Sequence, residues 1–488
     1  MSRRIYEQRG IRAFCWFTRF ARDSIRCMVD LRRKCDLFIG HRLLPWGMRG
    51  QKSLLAFGPE YNRQILGDIM TYRVTPLTAG GPPDSSLRRI RHGVIGMNGE
   101  EHRDQRQLVA PWFVKKTVDG YHDTAVRLIE RQVAGWRTGS ILDISREMQL
   151  LSLRISTNLL FGRESTERAE ALGTMIQELF ERNFSPWALL FPLNLPGAPF
   201  RGLLRHAELI ERTLLEAIAR RRQTPTGEPD ILDRLIAAHA QGQMSDAALL
   251  GQATILFFAS YETQASSLTW ALFLLAQHPA IMADLVDELA GALHGEPPTI
   301  EQVEQLPLLD AVLKESMRVL TTVPYTIRAV TQPAELDGVP LQFEDRVVCS
   351  YYVTHHLPEI YANPERFDPQ RWFTIRPTPY EYLPFGGGPR ICIGRTMSLQ
   401  IMKAALAMIL QRCKLEMAPR ARIDRVVKVT LSPKYGMPMI VKPHDGQFEA
   451  IPVSGNIHEM VDLTRANLRV VRLPASFANA GSRIGIGR

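Results

Sequence analysis

From Ala247 to Ala276 the chain carries a single formal charge, Glu262, and this run constrains everything built around it. It exceeds the ~20 residues with which a helix crosses a bilayer. Yet it also holds Gln252, Ser260, Thr263, Gln264, Ser266 and Ser267, a density of polar groups that is costly in lipid and ordinary inside a protein. The run therefore reads as a long helix buried through a protein centre, not as an anchor. Such a helix needs other elements packed on every side. A chain of 488 residues, 45% hydrophobic and 23% charged, can supply them.

Periodicity elsewhere is mostly helical. It predicts a strand and then a helix over Leu54–Tyr72, followed by helices near 100–118, 120–138, 143–161, 166–183, 201–222, 279–293 and 308–319. Thr78–Glu100 reads as loop around Gly80-Gly81-Pro82-Pro83, and Trp187–Pro199 as an apolar passage broken by prolines. Strand character comes late. Leu336-Asp-Gly-Val339 reads as a hairpin turn, Arg346–Thr354 is rich in β-branched and aromatic residues, and short strands fit 426–442. The fold class is mainly α with a small β portion. Residues 46–445 read as one domain, 1–45 as a basic N-terminal extension, and 446–488 as a weakly periodic tail.

The formal charge is +10, and residues 1–50 hold eleven Arg and one Lys against four acids. Ile11, Phe14, Trp16, Phe17 and Phe20 interleave with those arginines, as in an interfacial amphipathic helix. An ordinary helix with a solvated basic face has the same composition. Peripheral membrane contact through residues 1–45 is one expectation; nucleic acid is not an expected partner. The six cysteines include no CxxC pair, which argues against a zinc ribbon or a disulfide framework and suits a reducing, cytoplasmic compartment. The charged N-terminus never reaches a clean apolar run, so no signal peptide is read.

The run Phe385-Gly-Gly-Gly-Pro-Arg-Ile-Cys-Ile-Gly394 carries the strongest chemical signal. Glycines let backbone approach something flat closely. Cys392 is placed at the start of a helix reaching about Cys413, where dipole and free N–H groups favour a thiolate. A lone cysteine before a helix is otherwise a buried, inert thiol. A phosphate loop does not fit, because the pattern is not GxGxxG and no Lys-Ser or Lys-Thr pair follows. In order, the Phe, Gly, Arg, Cys and Gly resemble the haem-binding loop of the cytochrome P450 superfamily. The resemblance implies that family's fold, with the long central helix over the haem. It also implies heme b as cofactor, Cys392 as axial ligand to the metal, Phe385 packed beside the sulfur, Gly386 and Gly394 against the cofactor, and Arg390 on a propionate.

Three further stretches resemble the same family. Lys314-Glu-Ser-Met-Arg318 puts Glu315 and Arg318 on one helix face, a spacing that alone suggests only a surface pair. With Asn363-Pro-Glu-Arg-Phe-Asp-Pro369 it resembles the segments that form a structural triad, here Glu315, Arg318 and Arg366. Ala259-Ser-Tyr-Glu-Thr-Gln264 resembles the distal-helix motif. That implies Ala259 beside the cofactor and Glu262 with Thr263 as a proton-delivery pair. The bland alternative is that Thr263 bonds back to the Ala259 carbonyl and Glu262 finds a basic partner. Ser260 and Gln264 depart from the motif, which usually has glycine and a second hydroxyl there. His102, Arg106 and Arg328 resemble the family's propionate contacts. Pocket walls are expected from the loop at 80–97, the passage at 184–199, the helix around Phe257–Glu262 and Thr322–Ile327, with Ile95, Met97, Phe258, Tyr261, Val323 and Tyr325 facing substrate.

The implied activity is a haem-thiolate monooxygenase that inserts one atom of dioxygen into a hydrophobic substrate, by hydroxylation or epoxidation. Desaturation, ring coupling or a peroxide-driven reaction on the same fold is the alternative, and a haem-binding sensor without turnover is a further one. No flavin, nicotinamide or iron–sulfur fingerprint is present. Electrons are therefore expected from a ferredoxin or flavodoxin-type donor with its reductase.

Overall fold

The computed structural model describes residues 4–41, 51–75, 81–162, 166–183, 192–223, 230–463 and 469–471. The run with its single charge forms one helix, Asp246–Gln277, started by Ser245, whose side chain caps Ala248 N–H. Most of its residues are buried. It lies along the Ile144–Phe161 helix, with Phe257 stacked on Phe161 at 5.9 Å between ring centres. The helix ends at His278 because Pro279 cannot continue it. The Pro279–Leu293 helix then leaves at 111°. Among the described residues no single helix is long and apolar enough to cross a membrane; that bent pair meets the test only together.

Helices dominate, as expected. Ile144–Phe161, Thr166–Asn183, Pro199–Gln223, Pro307–Val319 and Arg395–Arg412 stand close to their predicted spans. The segment expected at 100–118 is broken at Pro111 into Gly99–Val109, a 3-10 turn and Lys115–Asp119. Arg346–Thr354 is half strand, Arg346–Ser350, and half helix, Tyr351–His355. The Leu336–Val339 turn joins two short strands, with Asp337 and Gly338 at φ 54° and 78°, the left-handed pair that such a turn requires.

The sheet is larger than the sequence suggested. Six strands lie in the order Ile5–Gln8, Leu37–His41, Lys52–Ala56, Arg346–Ser350, Tyr325–Val330, Tyr72–Val74. The first pairs with the second in parallel, and Lys52–Ala56 pairs in parallel with Arg346–Ser350. The N-terminal residues thus do not stand apart. Two of their strands extend the sheet, and Ile25, Met28, Leu31 and Phe38 enter the main core. The tail is also tied in as far as it is described. Phe448, Ile457, Met460 and Val461 are buried, and Gln447–Glu449 pairs with Arg469–Val471.

Candidate active site

Glu315 and Arg318 lie on the Pro307–Val319 helix, and both are fully buried. Arg318 forms a two-pronged pair with the carboxylate, Nε to Oε2 and Nη2 to Oε1, both 2.9 Å. The third member is not Arg366. Arg371 donates its Nε to Glu315 Oε1 at 2.9 Å, while Arg366 is exposed and lends only its carbonyl, to Arg318 Nη2 at 3.1 Å. Trp372 Nε1 and Asp368 N–H complete the shell at 2.9 and 3.0 Å. Sequence reasoning missed Arg371 because Pro364-Glu-Arg-Phe367 and Pro369-Gln-Arg-Trp372 carry the same pattern five residues apart. Only the second lies in a 3-10 turn, Pro369–Phe373, that packs on the Glu315 helix.

This network reaches the glycine-rich loop through His355, which the sequence did not single out. Burial holds His355 neutral, well below its ordinary range. Its Nε2 accepts from Leu383 N–H at 2.8 Å, so Nδ1 carries the proton and donates to Thr321 Oγ1, also 2.8 Å. Tyr382 donates to the Lys314 carbonyl at 2.9 Å. Two residues beyond Leu383 begins the run Phe385–Gly394. Gly386 and Gly388 take left-handed φ of 71° and 68°, and a Cβ on Gly388 would sit 2.2 Å from the Leu66 carbonyl oxygen. The loop folds back so that Cys392 N–H donates to Phe385 O at 2.9 Å.

Cys392 differs from its expected setting. The helix begins at Arg395, three residues later, and burial is the largest influence on the thiol, pushing it up. The Gly394 backbone, Arg106 and Arg395 act downward. Buried cysteines such as Cys349 and Cys413 are closed off, whereas the Cys392 side chain remains accessible although protein surrounds it. Phe385, Gly386 and Gly394 beside it are likewise only half-buried, and Gly394 would bring a Cβ within 4.0 Å of the sulfur.

Four bases gather at this place. His102 and Arg106 come from the Gly99–Val109 helix, Arg390 from the loop and Arg328 from the Tyr325–Val330 strand. Burial, then Arg390 and Arg106, push His102 down to about 4. Burial, then Arg328 and Arg106, push Arg390 down to about 10. Among the described residues no carboxylate pairs with any of the four. Arg106 is held by the Ile391 carbonyl at 2.6 Å; Arg390 by Asn98 Oδ1 at 3.0 Å and the Met97 carbonyl; Arg328 by Thr326 Oγ1 at 2.6 Å. His102 Nδ1 is buried with no partner. Mutually repelling bases with an orphaned ring nitrogen call for an anion from outside the described residues. An accessible sulfur beside an anion-seeking cluster fits a flat iron cofactor with carboxylate arms.

On the central helix, Ile255, Ala259, Ser260, Glu262 and Thr263 are only half-buried although both flanks of the helix are closed. Their spacing of three to four residues makes one open stripe. Thr263 Oγ1 donates to Ala259 O at 2.8 Å, as the bland alternative had it. Glu262 accepts from a hydroxyl, Thr430 Oγ1 at 3.0 Å, with Lys428 only nearby, and burial pushes its carboxyl up. Ser260 bonds Ser156 Oγ on the neighbouring helix at 2.8 Å, and Gln264 is buried with its Oε1 unpartnered. Phe258 and Tyr261 pack with Phe180 in an aromatic cluster, and Val323 is half-buried. Met97 is buried, while Ile95 is exposed. Tyr325 turns toward the N-terminal helix Gly10–Arg22, its ring edge-on to Phe20 at 5.2 Å. Of the passage at 184–199, residues 184–191 lie outside the described residues.

The sequence profile of the family described as Cytochrome P450 matches residues 42–438. The chain belongs to the cytochrome P450 family. Cyclooctatin synthase of Streptomyces melanosporofaciens is 32% identical over 381 residues, 75% of this chain and 81% of that protein. Cyclooctat-9-en-7-ol 5-monooxygenase of the same organism is 29% identical over 380 residues, with the same coverage. Among solved structures, retinoic acid-bound cyanobacterial CYP120A1 has a TM-score of 0.72 at 23% identity, covering 85% of this chain and 93% of that one. CYP175A1 from Thermus thermophillus has 0.69, also at 23%, covering 90% and 100%. This P450 is a haem-thiolate monooxygenase with heme b as cofactor, taking a small-molecule substrate and electrons from a redox partner.

The two candidate arginines separate cleanly by experiment. Arg371→Ala uncovers the buried Glu315 carboxylate and should cost about 3–5 kcal/mol in denaturant unfolding. Arg366→Ala, on an exposed side chain, should stay within ~0.5 kcal/mol of wild type. Equal losses from both would restore Arg366 to the triad.

Proposed function

We propose that this P450 hydroxylates or epoxidises a hydrophobic small molecule, with Cys392 as the thiolate ligand. When bound, the haem supplies activation of dioxygen, which a thiolate ligand promotes by electron donation. The observation that carries the assignment is the accessible Cys392 sulfur beside four bases that no carboxylate among the described residues neutralises. His102, Arg106, Arg328 and Arg390 take the propionates. Glu262 and Thr263 deliver protons, since they occupy the open stripe of an otherwise closed helix.

The aromatic cluster of Phe258 and Tyr261 supports an apolar substrate, as does a relative named for cyclooctat-9-en-7-ol. A place in secondary metabolism accords with the cyclooctatin relatives. The electron donor is an acidic ferredoxin or flavodoxin. Exposed Arg395 next to Cys392, and Lys116 on a helix packed against Arg395–Arg412, offer it a basic landing area. The N-terminal helix rests peripherally on anionic membrane, with Ile11 78% and Phe14 52% exposed among its arginines.

Four measurements check these roles. The reduced, carbon monoxide-bound wild type should show the red-shifted thiolate band and Cys392→His should lose it, while Thr263→Ala should divert oxygen to peroxide. A wild type lacking that band removes the thiolate assignment, and unchanged coupling in Thr263→Ala removes its role. Reduction by an acidic ferredoxin should slow with rising salt and fall several-fold in Arg395→Glu; salt-independent rates would count against the basic landing area. Full-length protein should sediment with phosphatidylserine vesicles at low salt and Ile11→Glu/Phe14→Glu should not. Equal sedimentation of both would end the membrane proposal.

A further inference from the structure

Glu262 does not meet the basic partner that a buried carboxylate usually recruits. It meets a hydroxyl from a distant part of the chain, on the turn of the Arg425–Val427/Leu431–Pro433 hairpin. Thr430 is almost fully buried. Its Oγ1 donates to Glu262 Oε1 at 3.0 Å and lies 3.1 Å from Ser432 Oγ. Ser432 is half-buried and Lys428, at the turn, is exposed. Ser432, Thr430 and Glu262 therefore run in hydrogen-bond contact from a half-buried hydroxyl on the hairpin to the open stripe of the central helix.

The hairpin does not need the Thr430 hydroxyl to stay where it is. Leu431 O accepts from Ser266 Oγ at 2.5 Å and Trp270 Nε1 at 2.8 Å, both on the central helix. Leu431 N–H donates to Thr322 O at 2.8 Å. These bonds clamp the strand next to Thr430, so the hydroxyl is free for another task. A hydroxyl both accepts and donates, which a lysine or arginine cannot do.

We propose that Ser432 and Thr430 form the outer part of the proton route, passing protons from solvent to Glu262. The proposal rests on the reading of Glu262 as the proton-delivering acid. Each hop is balanced. Ser432 Oγ takes a proton from water and gives its own to Thr430 Oγ1; Thr430 gives its own to Glu262; Glu262 returns to carboxylate when it hands the proton inward. No electrons move, and both hydroxyls end unchanged. The surroundings suit a carboxyl that exchanges protons. Burial raises its affinity for them, Glu181 adds to that, Lys428 and the Thr430 bond oppose it, and Tyr261 beside it stays protonated. Thr430 and Ser432 are positioning residues, since they act through Glu262.

The test uses the full-length, haem-loaded enzyme with ferredoxin and reductase, comparing Thr430→Val, Thr430→Ser, Ser432→Ala and Glu262→Gln. The reduced carbon monoxide spectrum verifies that each variant is folded and loaded. Thr430→Val should slow oxygen consumption about tenfold, at or below the low end of the ~10²–10⁴-fold that positioned proton transfer supplies, with a larger solvent isotope effect. Thr430→Ser should restore most of the rate, which a purely space-filling role would not require. Infrared titration should show the Glu262 carboxyl protonating at higher pH in Thr430→Val and near its original pH in Thr430→Ser. If Glu262→Gln is slow while Thr430→Val and Ser432→Ala run at wild-type rate, the hairpin route is wrong and the role of Glu262 stands. If Glu262→Gln itself is unimpaired, the acid reading falls and the hairpin route with it.

Discussion

The Glu315 carboxylate holds the thiol side of this P450 together. It is closed to solvent and accepts from Arg318, Arg371, Trp372 and the Asp368 backbone. A buried charge survives only with its lone pairs satisfied, and the donors here arrive from separate turns of chain. Arg318 directs its remaining N–H groups to the carbonyls of His355, Pro364 and Arg366. His355 then anchors Leu383, and Leu383 sets where Phe385–Gly394 begins. The position of Cys392 is thus inherited from a salt bridge to which it contributes nothing. An ion pair of this kind stabilises little in net terms, but losing one partner strands the other, which suits a part that must not drift.

Much of this was legible in the residues. The central helix announced itself by one charge in thirty positions, and the loop by ten residues whose order tolerates few other readings. What stayed hidden was mostly a matter of burial. Arg366 and Arg371 sit in matching local contexts, and only tertiary packing decides which side chain turns inward. Thr430 could not be linked to Glu262, because a contact spanning 168 residues leaves no periodic trace. The strands Ile5–Gln8 and Leu37–His41 are too short for strong alternation and sit among arginines, so composition favoured a helix there.

The thiol shows how two local rules compete. A cysteine near a helix start is expected to ionise readily, yet Cys392 lies just outside the first turn and is surrounded by protein, and burial dominates. The positive field of Arg106 and Arg395 works against that burial. The four bases likewise cost the chain on its own, through desolvation and mutual repulsion. Both features make sense as a site built for a partner that brings negative charge and iron.

The parallel pairing of Lys52–Ala56 with Arg346–Ser350 has a consequence for biogenesis. A ribosome making this chain releases the first three strands of the sheet early, but the strand that covers their open edge comes nearly three hundred residues later. At ~5–20 residues per second that is a wait of roughly 15–60 s. Throughout it, Leu54 and Leu55 offer an unpaired edge to any passing strand. The nascent N-terminal half is therefore the part of this enzyme most dependent on chaperone shelter, and expression yield should respond to the speed of translation more than to the stability of the finished fold.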